Sequence, residues 1–509
     1  MFKFFIGCVV AMCVSVIVPA QKITYSQPDR DDQKSISFDI IGKINNHFLV
    51  YKSIKNQHTV TVLDSSMKAV EKTNLDFLPE RVINTDVLNY KDFFYLFYQY
   101  QRRNIVYCAV AKLSGEGKLI GSPKELDTTA INFFANNKLY TIIYSDDKQK
   151  IMVFKVNSKN QENNILTTSL FDADLNLIHK TRIGIPLDSR TDFLTEFTLD
   201  NDGYLVFAKP SGSSQSDNIT QVKLITKEPE SDSVSSYNLT IPKIYLDDIR
   251  IKADNVNKRY LISSFYSKTK RGNIDGLYCI IWDKLNVKEI NTTSTTFSEE
   301  MRSDAKSEGS AKTAFNDFFI QNMLIRKDGG FAIASESAYS SSRGIYNNRW
   351  DYYTGSPYLS PYNYYYYWNS PLYSSYYYPW WRWGGYPNQI NRYFADNIAI
   401  MAFDSTGNLQ WTNIIHKSQY DDYTDNFIGY GTLNSGGQVH FLFNQLEKRT
   451  LLLTDQTITP EGQVNRSPTL RNLDKDYQFM PRYAKQVSSH ELIVPCQYRN
   501  FICFAKIEF

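Results

Sequence analysis

Short apolar runs recur along the whole chain, and each follows a polar turn. Residues 93–98 follow Asp92 in this way, and residues 204–207 follow Asp202 and Gly203. Runs of this length, rich in β-branched and aromatic residues and bounded by Asx or Gly, are typical of β-strands. Several are apolar at every successive position, which predicts strands that are buried on both faces.

Two signatures alternate along the chain. The first is a polar turn followed by an apolar strand, and its eight copies begin at Asn45, Asp92, Asn137, Asp202, Lys258, Asp328, Gly436 and Ser489. The second is a strand, an Asp or Gly turn and another strand, as in residues 62–70, 170–177, 281–287 and 402–411. Together they predict a repeating unit of four short antiparallel strands, and no helical period interrupts the series.

The two chain ends favour one arrangement of these units. The last unit stops at its third strand, residues 501–509, while residues 22–26 read as a strand with no unit of its own. A closed ring would use that strand to complete the last unit and remove an exposed edge. We therefore expect an all-β fold: a single closed β-propeller of about eight four-stranded blades, with seven as the alternative.

The layout, with turns such as residues 403–411 (Phe-Asp-Ser-Thr-Gly-Asn-Leu-Gln-Trp), resembles the exported β-propeller repeat proteins of Gram-negative bacteria. The resemblance covers the entire mature chain at superfamily level and lacks the regular Gly-His and Trp-Asp spacing of WD40 blades. It implies a shape, and its members include binding scaffolds, assembly factors and some glycan-active enzymes.

The N-terminus predicts export. A positive start, an apolar stretch from Phe4 to Val18 and a small residue at Ala20 are typical of a secretory signal peptide over residues 1–20. The propeller domain is then residues 21–509, in the periplasm, on the outer-membrane surface or outside the cell. Cys13 is an alternative lipid acceptor, although the apolar stretch continues past it.

An aromatic segment, residues 339–393, is inserted in the sixth blade and holds five of the seven tryptophans. Its candidate binding residues are Trp350, Tyr364, Tyr365, Trp368, Tyr377, Trp380, Trp381 and Trp383. Tyr and Trp supply large, stiff contact area, which favours docking of a protein or of sugar rings. Peripheral association with a membrane interface, or a loop that packs on its own blade or stays disordered, are the alternatives.

The C-terminal hairpin places two cysteines opposite each other. If Arg499 and Asn500 form a two-residue turn, Cys496 and Cys503 become directly paired. Their separation would suit a disulfide, and two buried free thiols are the other interpretation.

The net charge and the sequence motifs argue against several classes of function. A net charge of +3 with scattered basic residues argues against nucleic acid as a partner. The six histidines are scattered, no metal-binding, nucleophile-elbow or phosphate-loop spacing occurs, and no cofactor is expected. Asp172 and Asp174 resemble the start of a calcium loop, but Leu175 replaces the next ligand, so turn capping is the better account.

We therefore expect a binding or assembly module for a protein or glycan of the cell envelope rather than an enzyme. A hydrolase or lyase acting on polysaccharide, with carboxylates gathered from several blades, is the first alternative. An outer-membrane β-barrel is the second, although many strands are too short and too apolar on both faces for one.

Overall fold

The chain is built almost entirely of antiparallel β-strands. The computed structural model describes residues 21–28, 36–54, 56–132, 135, 138–160, 163–188, 190–213, 218–307, 309–342, 345–346, 391–422, 424–447, 450–467 and 477–509. Within these ranges lie 35 strands, a short helix α1 (Glu299–Ala305) and two single 3-10 turns at Ala311–Thr313 and Pro481–Tyr483. No helix of the described ranges is long and apolar enough to cross a membrane.

The strands form eight units, named sheets 1 to 8 in chain order. Before them lies β1 (Lys22–Tyr25). Sheet 1 consists of β2 (Ser37–Ile44), β3 (His47–Ile54), β4 (Gln57–Leu63) and β5 (Ala69–Asn74). Sheet 2 consists of β6 (Val82–Asn89), β7 (Phe93–Arg102), β8 (Ile105–Ser114) and β9 (Lys124–Ala130). Sheet 3 consists of β10 (Thr141–Tyr144), β11 (Lys150–Asn160), β12 (Asn163–Asp172) and β13 (Leu177–Pro186). Sheet 4 consists of β14 (Thr195–Leu199), β15 (Leu205–Gly212), β16 (Ile219–Lys227) and β17 (Ser235–Asn238).

The other four units follow the same pattern. Sheet 5 is β18 (Tyr245–Asp254), β19 (Arg259–Ser267), β20 (Gly276–Asp283), β21 (Lys288–Thr296). Sheet 6 is β22 (Phe318–Ile325), β23 (Phe331–Ser342), β24 (Ile345–Tyr346), β25 (Asn391–Phe403), β26 (Leu409–Ile415), β27 (Tyr420–Asp421). Sheet 7 consists of β28 (Tyr430–Asn434), β29 (Val439–Glu447), β30 (Thr450–Ile458) and β31 (Val464–Arg466). Sheet 8 consists of β32 (Tyr477–Phe479), β33 (Lys485–Gln486), β34 (Glu491–Tyr498) and β35 (Phe501–Glu508), together with β1. One residue pair, Ile219 with Leu246, joins sheets 4 and 5.

Each sheet is buried on both faces, which explains the unbroken apolar runs in the sequence. In β7, Phe94 and Leu96 belong to the cluster shared with sheet 1, while Tyr95 and Phe97 belong to the cluster shared with sheet 3. Side chains alternate across a strand, so a strand between two neighbours needs apolar residues at every position.

Eight clusters of buried apolar side chains lie between neighbouring sheets. Seven of them join each sheet to the next one along the chain, from sheets 1 and 2 to sheets 7 and 8. The eighth joins sheet 8 to sheet 1, where Ile493 and Phe504 pack with Phe38 and Phe48. Every sheet therefore shares a core with two others.

The N-terminal strand completes the last sheet, as the sequence predicts. β1 pairs antiparallel with β35, from Lys22 opposite Glu508 to Tyr25 opposite Ala505. Ser26 extends this pairing, since its backbone N–H donates to the Phe504 carbonyl at 2.8 Å and its hydroxyl accepts from the Phe504 N–H at 2.9 Å. The two chain ends thus belong to one sheet.

The turn signatures are confirmed except in sheet 3. Asp172 caps its turn as expected, because Oδ1 accepts from the backbone N–H groups of Asp174 and Asn176 while Leu175 takes a φ of 62°. In sheet 3 the apolar run after Asn137, a residue outside the described ranges, forms the first strand, β10, whereas in the other sheets the run of the first signature forms the second strand. The turn comes later, where Ser145 and Lys150 pair. Sequence could not separate the two because β10 and β11 are both apolar.

Deleting residues 21–26 should weaken the whole fold. Ile23 and Tyr25 would leave the cluster of sheets 7 and 8, and β35 would become an open edge, a loss of roughly 3 kcal/mol or more. Denaturant unfolding and amide exchange in β35 measure the effect. Lys22→Ala is the control and should leave stability unchanged, since that side chain is 74% exposed; equal stability of the deletion variant would contradict the role of β1.

Candidate functional site

The sheets present two faces of different character. The turns between first and second strands contact one another from sheet to sheet. Lys148 Nζ donates to the Asn89 carbonyl at 2.8 Å, and the Asn201 N–H donates to Asn255 Oδ1 at 2.8 Å. In an antiparallel meander, successive turns alternate between opposite ends. We call this end the turn face, and the opposite end, where second and third strands connect, the hairpin face.

The strands that flank the aromatic segment end at the hairpin face. It connects β23 to β25, the second and third main strands of sheet 6, which stay paired out to Ser342 opposite Asn391. Residues 339–342 and 391–393 of the predicted insert therefore lie in strands. All eight candidate binding residues, Trp350, Tyr364, Tyr365, Trp368, Tyr377, Trp380, Trp381 and Trp383, lie outside the described residues.

Sheet 2 carries a ladder of stacked rings towards the hairpin face. Tyr98 and Tyr100 stack at 5.9 Å, and Tyr100 and Tyr107 stack at 5.0 Å between ring centroids. Phe77 meets Tyr98 edge-on at 6.3 Å. Tyr100 and Tyr107 are directly opposite in the register and lie two residue pairs from the hairpin turn. The partly exposed tyrosines therefore stand next to the exposed Arg102 and Arg103.

Sheet 8 has a second ladder. Tyr25, Tyr477 and Tyr498 stack in sequence, with centroids 4.3 and 4.7 Å apart. The guanidinium of Arg499, in the hairpin turn, lies 5.3 Å from the Tyr498 ring centre. Stacking between an arginine and a tyrosine keeps the cation in place while its donors stay available to a ligand.

Sheet 6 has a third ladder at the base of the aromatic segment. Tyr339 and Phe394 stack at 4.5 Å, and Phe394 meets Tyr420 at 6.4 Å. Arg392 lies 4.6 Å over the Tyr420 ring and pairs with Asp422 at 2.5 Å. Tyr420 is 55% exposed. Three sheets thus combine stacked aromatic rings with an arginine at the hairpin end.

Sequence analysis missed these ladders. Their rings come from strands far apart along the chain, as with Tyr25 and Tyr477, and nothing in the local pattern marks them. The usable signal was the tyrosine or arginine beside a hairpin turn, as in residues 100–103 and 498–499. Such side chains provide flat apolar area together with planar donors, a combination that suits recognition of rings and acidic groups.

A buried polar group anchors the strands that lead into the aromatic segment. Lys417 Nζ lies 2.8 Å from Glu336 Oε1 and donates to the Ala395 carbonyl at 2.7 Å and to Gln419 Oε1 at 2.9 Å. Asp396 accepts from the Tyr339 hydroxyl at 3.0 Å. Burial lowers the pKa of Lys417. Glu336 and Asp396 sit at the β-bulge of β23 and β25, so this group fixes where the pair bends away from the core.

Replacing Lys417 with Met should destabilise the protein by roughly 3–5 kcal/mol, because Glu336 would stay buried without its cation. Chemical denaturation measures the change. The double variant E336Q/K417M is the matched control, and it should recover a large part of the loss. Equal losses in the single and double variants would contradict a coupled pair.

A second polar group lies on the first strands of sheets 8, 1, 2 and 3 and in the segment just before β10. The pKa of Asp39 is raised to about 6, chiefly because the carboxyl is buried. The positive charge of Lys485 opposes this rise, and the negative charge of Asp86 adds to it. Lys485 donates to the Ile40 carbonyl at 2.7 Å, and burial lowers its pKa. Burial also lowers the pKa of Lys138, although the negative charge of Asp86 acts in the opposite direction. Burial raises the pKa of Tyr144 to about 12, and the negative charge of Asp39 contributes to the rise. We call these five residues the inner-strand group.

The inner-strand group places two carboxyls and two ammonium groups near one another at low exposure. Asp39 is 7% exposed, and its Oδ2 atom has no hydrogen-bond partner among the described residues. A carboxyl whose pKa is about 6 exchanges a proton near neutrality, which is the property of a general acid or base. Within the described part of the chain, no three His, Cys, Asp or Glu side chains are grouped to hold a metal ion.

Asp39 should make stability depend on pH. Its folded pKa lies above its ordinary value, so the folded state holds a proton that the unfolded state has released. Stability therefore falls as pH rises from about 4 to about 6, and the loss is roughly 2–3 kcal/mol above that window. In D39N this fall should be absent. Denaturation of both proteins between about pH 4 and about pH 7 tests it, and parallel curves would contradict it.

The cysteine pair adopts the predicted register. Cys496 lies opposite Cys503, Arg499 takes a φ of 55° in the turn, and the two Sγ atoms are 3.0 Å apart. Both residues are present as buried free thiols, and burial raises the pKa of Cys496 well above its usual value. The disulfide between them stays a prediction.

Comparison with known proteins gives no family. No family model matches the sequence, and no curated protein matches it. Among solved structures, an ulvan lyase from a new polysaccharide lyase family is 10% identical, with 82% of this chain and 90% of that chain covered and a TM-score of 0.37. A prolyl endopeptidase is 8% identical over 92% of this chain and 56% of that chain, with a TM-score of 0.42.

A Synechocystis apocarotenoid oxygenase variant is 9% identical over 74% of this chain and 72% of that chain, with a TM-score of 0.33. The present chain spans just over half the length of the endopeptidase chain. With identities of 8–10% and TM-scores of 0.33–0.42, these similarities carry no argument about fold or activity.

Proposed function

We propose that the mature chain is a closed eight-bladed β-propeller, exported to the cell envelope, which binds a protein or glycan partner through its hairpin face. The ring is supported by the eight shared clusters, including the one between sheets 8 and 1, and by the completion of sheet 8 by β1. Lys43 and Glu491, 2.6 Å apart, add a charged contact at the same junction.

One observation carries the binding function: three sheets bring stacked tyrosines and an arginine to the face from which the aromatic segment emerges. Tyr107, Tyr498 and Tyr420 each end a ladder there. Aromatic and arginine side chains dominate the energetics of recognition surfaces. The aromatic segment, with its candidate residues from Trp350 to Trp383, would extend this surface.

A second candidate function is that of a polysaccharide hydrolase or lyase. The inner-strand group favours it, because Asp39 and Asp86 lie on neighbouring first strands with Lys485 beside them. First strands of a propeller line its central axis, where a substrate chain would reach them. Asp39 would then exchange the proton, and D39N should lose turnover of the glycan while still binding it.

Deletion of residues 347–386 tests the binding function. The variant should fold like the full chain, since β23 and β25 are held by sheet 6, and should lose capture of its partner from a solubilised envelope fraction. Capture on immobilised protein, followed by mass spectrometry and monosaccharide analysis, measures both partner classes. Lys91→Gln, on the turn face, is the control and should capture normally.

Retained capture by the deletion variant together with retained capture by Tyr420→Ala would contradict the proposal. Release of new reducing ends or unsaturated products from a glycan panel by the wild type, absent in D39N, would establish the second candidate instead.

A further inference from the structure

The two cysteines of the last hairpin face each other in the interior of sheet 8. Cys496 in β34 and Cys503 in β35 are directly opposite in the register, and their Sγ atoms lie 3.0 Å apart. The turn at Arg499 and Asn500 has two residues and sets this register. A disulfide joins residues whose Cα atoms are about 4.4–6.8 Å apart, and directly opposed antiparallel residues fall within that range. The two sulfurs can therefore be joined without moving the strands.

The other two described cysteines provide a contrast. Cys108 lies in sheet 2 and Cys279 in sheet 5, in two different clusters. Cys108 is opposite Gln99, and Cys279 is opposite Ser263. Single buried thiols are common in apolar cores and need no chemistry to explain them. Among the described cysteines, only the pair in sheet 8 brings two sulfurs within reach of each other.

The strand that completes sheet 8 also helps to bury the pair. Cys496 and Cys503 are 0% and 1% exposed, and Ile23 and Tyr25 of β1 pack against their cluster. Phe479 is opposite Cys496, and its ring centre lies 6.1 Å from that of Tyr25. Burial raises the pKa of Cys496 well above its usual value. Because the thiolate is the species that reacts with disulfides, a sheet 8 that already holds β1 should oxidise slowly.

We infer that Cys496 and Cys503 are an oxidative modification site, where a cross-strand disulfide forms before β1 pairs with β35. The inference rests on the proposed export, since disulfides form and persist in oxidising compartments. The oxidant is a thiol oxidoreductase of the envelope that carries a disulfide. One cysteine thiolate attacks that disulfide to give a mixed disulfide, and the second thiolate then attacks the sulfur of the first cysteine. One S–S bond forms in sheet 8, the S–S bond of the oxidoreductase breaks, and the oxidoreductase leaves as a dithiol with the two protons and two electrons.

This order has a structural consequence. The bond holds β34 and β35 together while β35 still lacks its outer partner, which is the stage at which its edge is open to other strands. Once β1 pairs with residues 505–508, Tyr25 packs over the cluster and shields the bond from reductants. The last hairpin is thus fixed covalently before the first strand completes the sheet.

Peptide mapping of two preparations of the full chain tests the site. Trypsin cleaves after Arg499, so peptides 486–499 and 500–506 stay joined only through the bond. Protein exported through its own residues 1–20 should yield the joined peptides after alkylation in denaturant, and protein made in the cytoplasm without those residues should yield both as alkylated thiols. Cys108 and Cys279 are internal controls, and both should be alkylated in every sample.

Oxidation kinetics of the purified, reduced mature chain test the order. Refolding in oxidised glutathione should form the bond, and the folded protein should oxidise at least about tenfold more slowly, since its thiols must first be uncovered. Tyr25→Ala removes a ring that packs against the cluster, so this variant should oxidise in its folded state about tenfold faster than the wild type or more. Lys22→Ala, on the same strand but with a side chain that is 74% exposed, is the matched control and should oxidise at the wild-type rate.

Free thiols at both positions after refolding in oxidised glutathione would overturn the site. Equal rates for the refolding and the folded wild type, or for Tyr25→Ala and Lys22→Ala, would overturn the order and the role of β1 in it. A bond that forms on refolding but is missing from the exported protein would overturn the export on which the inference rests and leave the chemistry of the pair standing. A bond in the exported protein together with failed partner capture would support this inference and count against the binding function alone.

Discussion

The structure depends on the need of each small sheet to cover two apolar faces at once. A four-stranded sheet such as sheet 2 carries Phe94 and Leu96 on one face and Tyr95 and Phe97 on the other. A sheet of this size is not stable in water by itself, because too little of its apolar surface would be buried. Each sheet shares one cluster with the sheet before it and one with the sheet after it, and sheet 8 meets sheet 1 in the same way.

The chain ends serve the same requirement. β1 gives β35 its outer partner, so the edge of sheet 8 is covered by the segment most distant from it in sequence. Gln21 Nε2 reaches Asp455 Oδ2 at 2.5 Å, where His440 Nδ1 also meets it at 3.0 Å, so the N-terminal strand is tied to sheet 7 as well. The aromatic ladders lie towards the hairpin ends, where loops connect the strands.

Buried charge is concentrated at two places. Lys417 with Glu336 lies at the β-bulge of β23 and β25, and the inner-strand group around Asp39 lies on or next to the first strands of four sheets. Charges in the interior lose hydration, and they persist only with partners of good geometry. The Lys417 ammonium donates to the Ala395 carbonyl and to Gln419 and forms an ion pair with Glu336. Asp396 Oδ1 in this group and Asp39 Oδ2 in the other both have no hydrogen-bond partner among the described residues. The first group lies at the β-bulge of β23 and β25, and the second contains a carboxyl whose pKa burial raises to about 6.

The sequence by itself determined the repeating unit, because apolar runs and Asx or Gly turns are local properties. It predicted the strands after Asn45, Asp92 and Asp202, the pairing of Cys496 with Cys503 and the strand at residues 22–25. Local pattern could not distinguish β10 from β11, since strands buried on both faces look alike. Only the tertiary structure decided which rings stack and which charges share a buried site. Tyr25 and Tyr477, or Asp39 and Lys485, are brought together by packing between sheets, and no spacing along the chain encodes that.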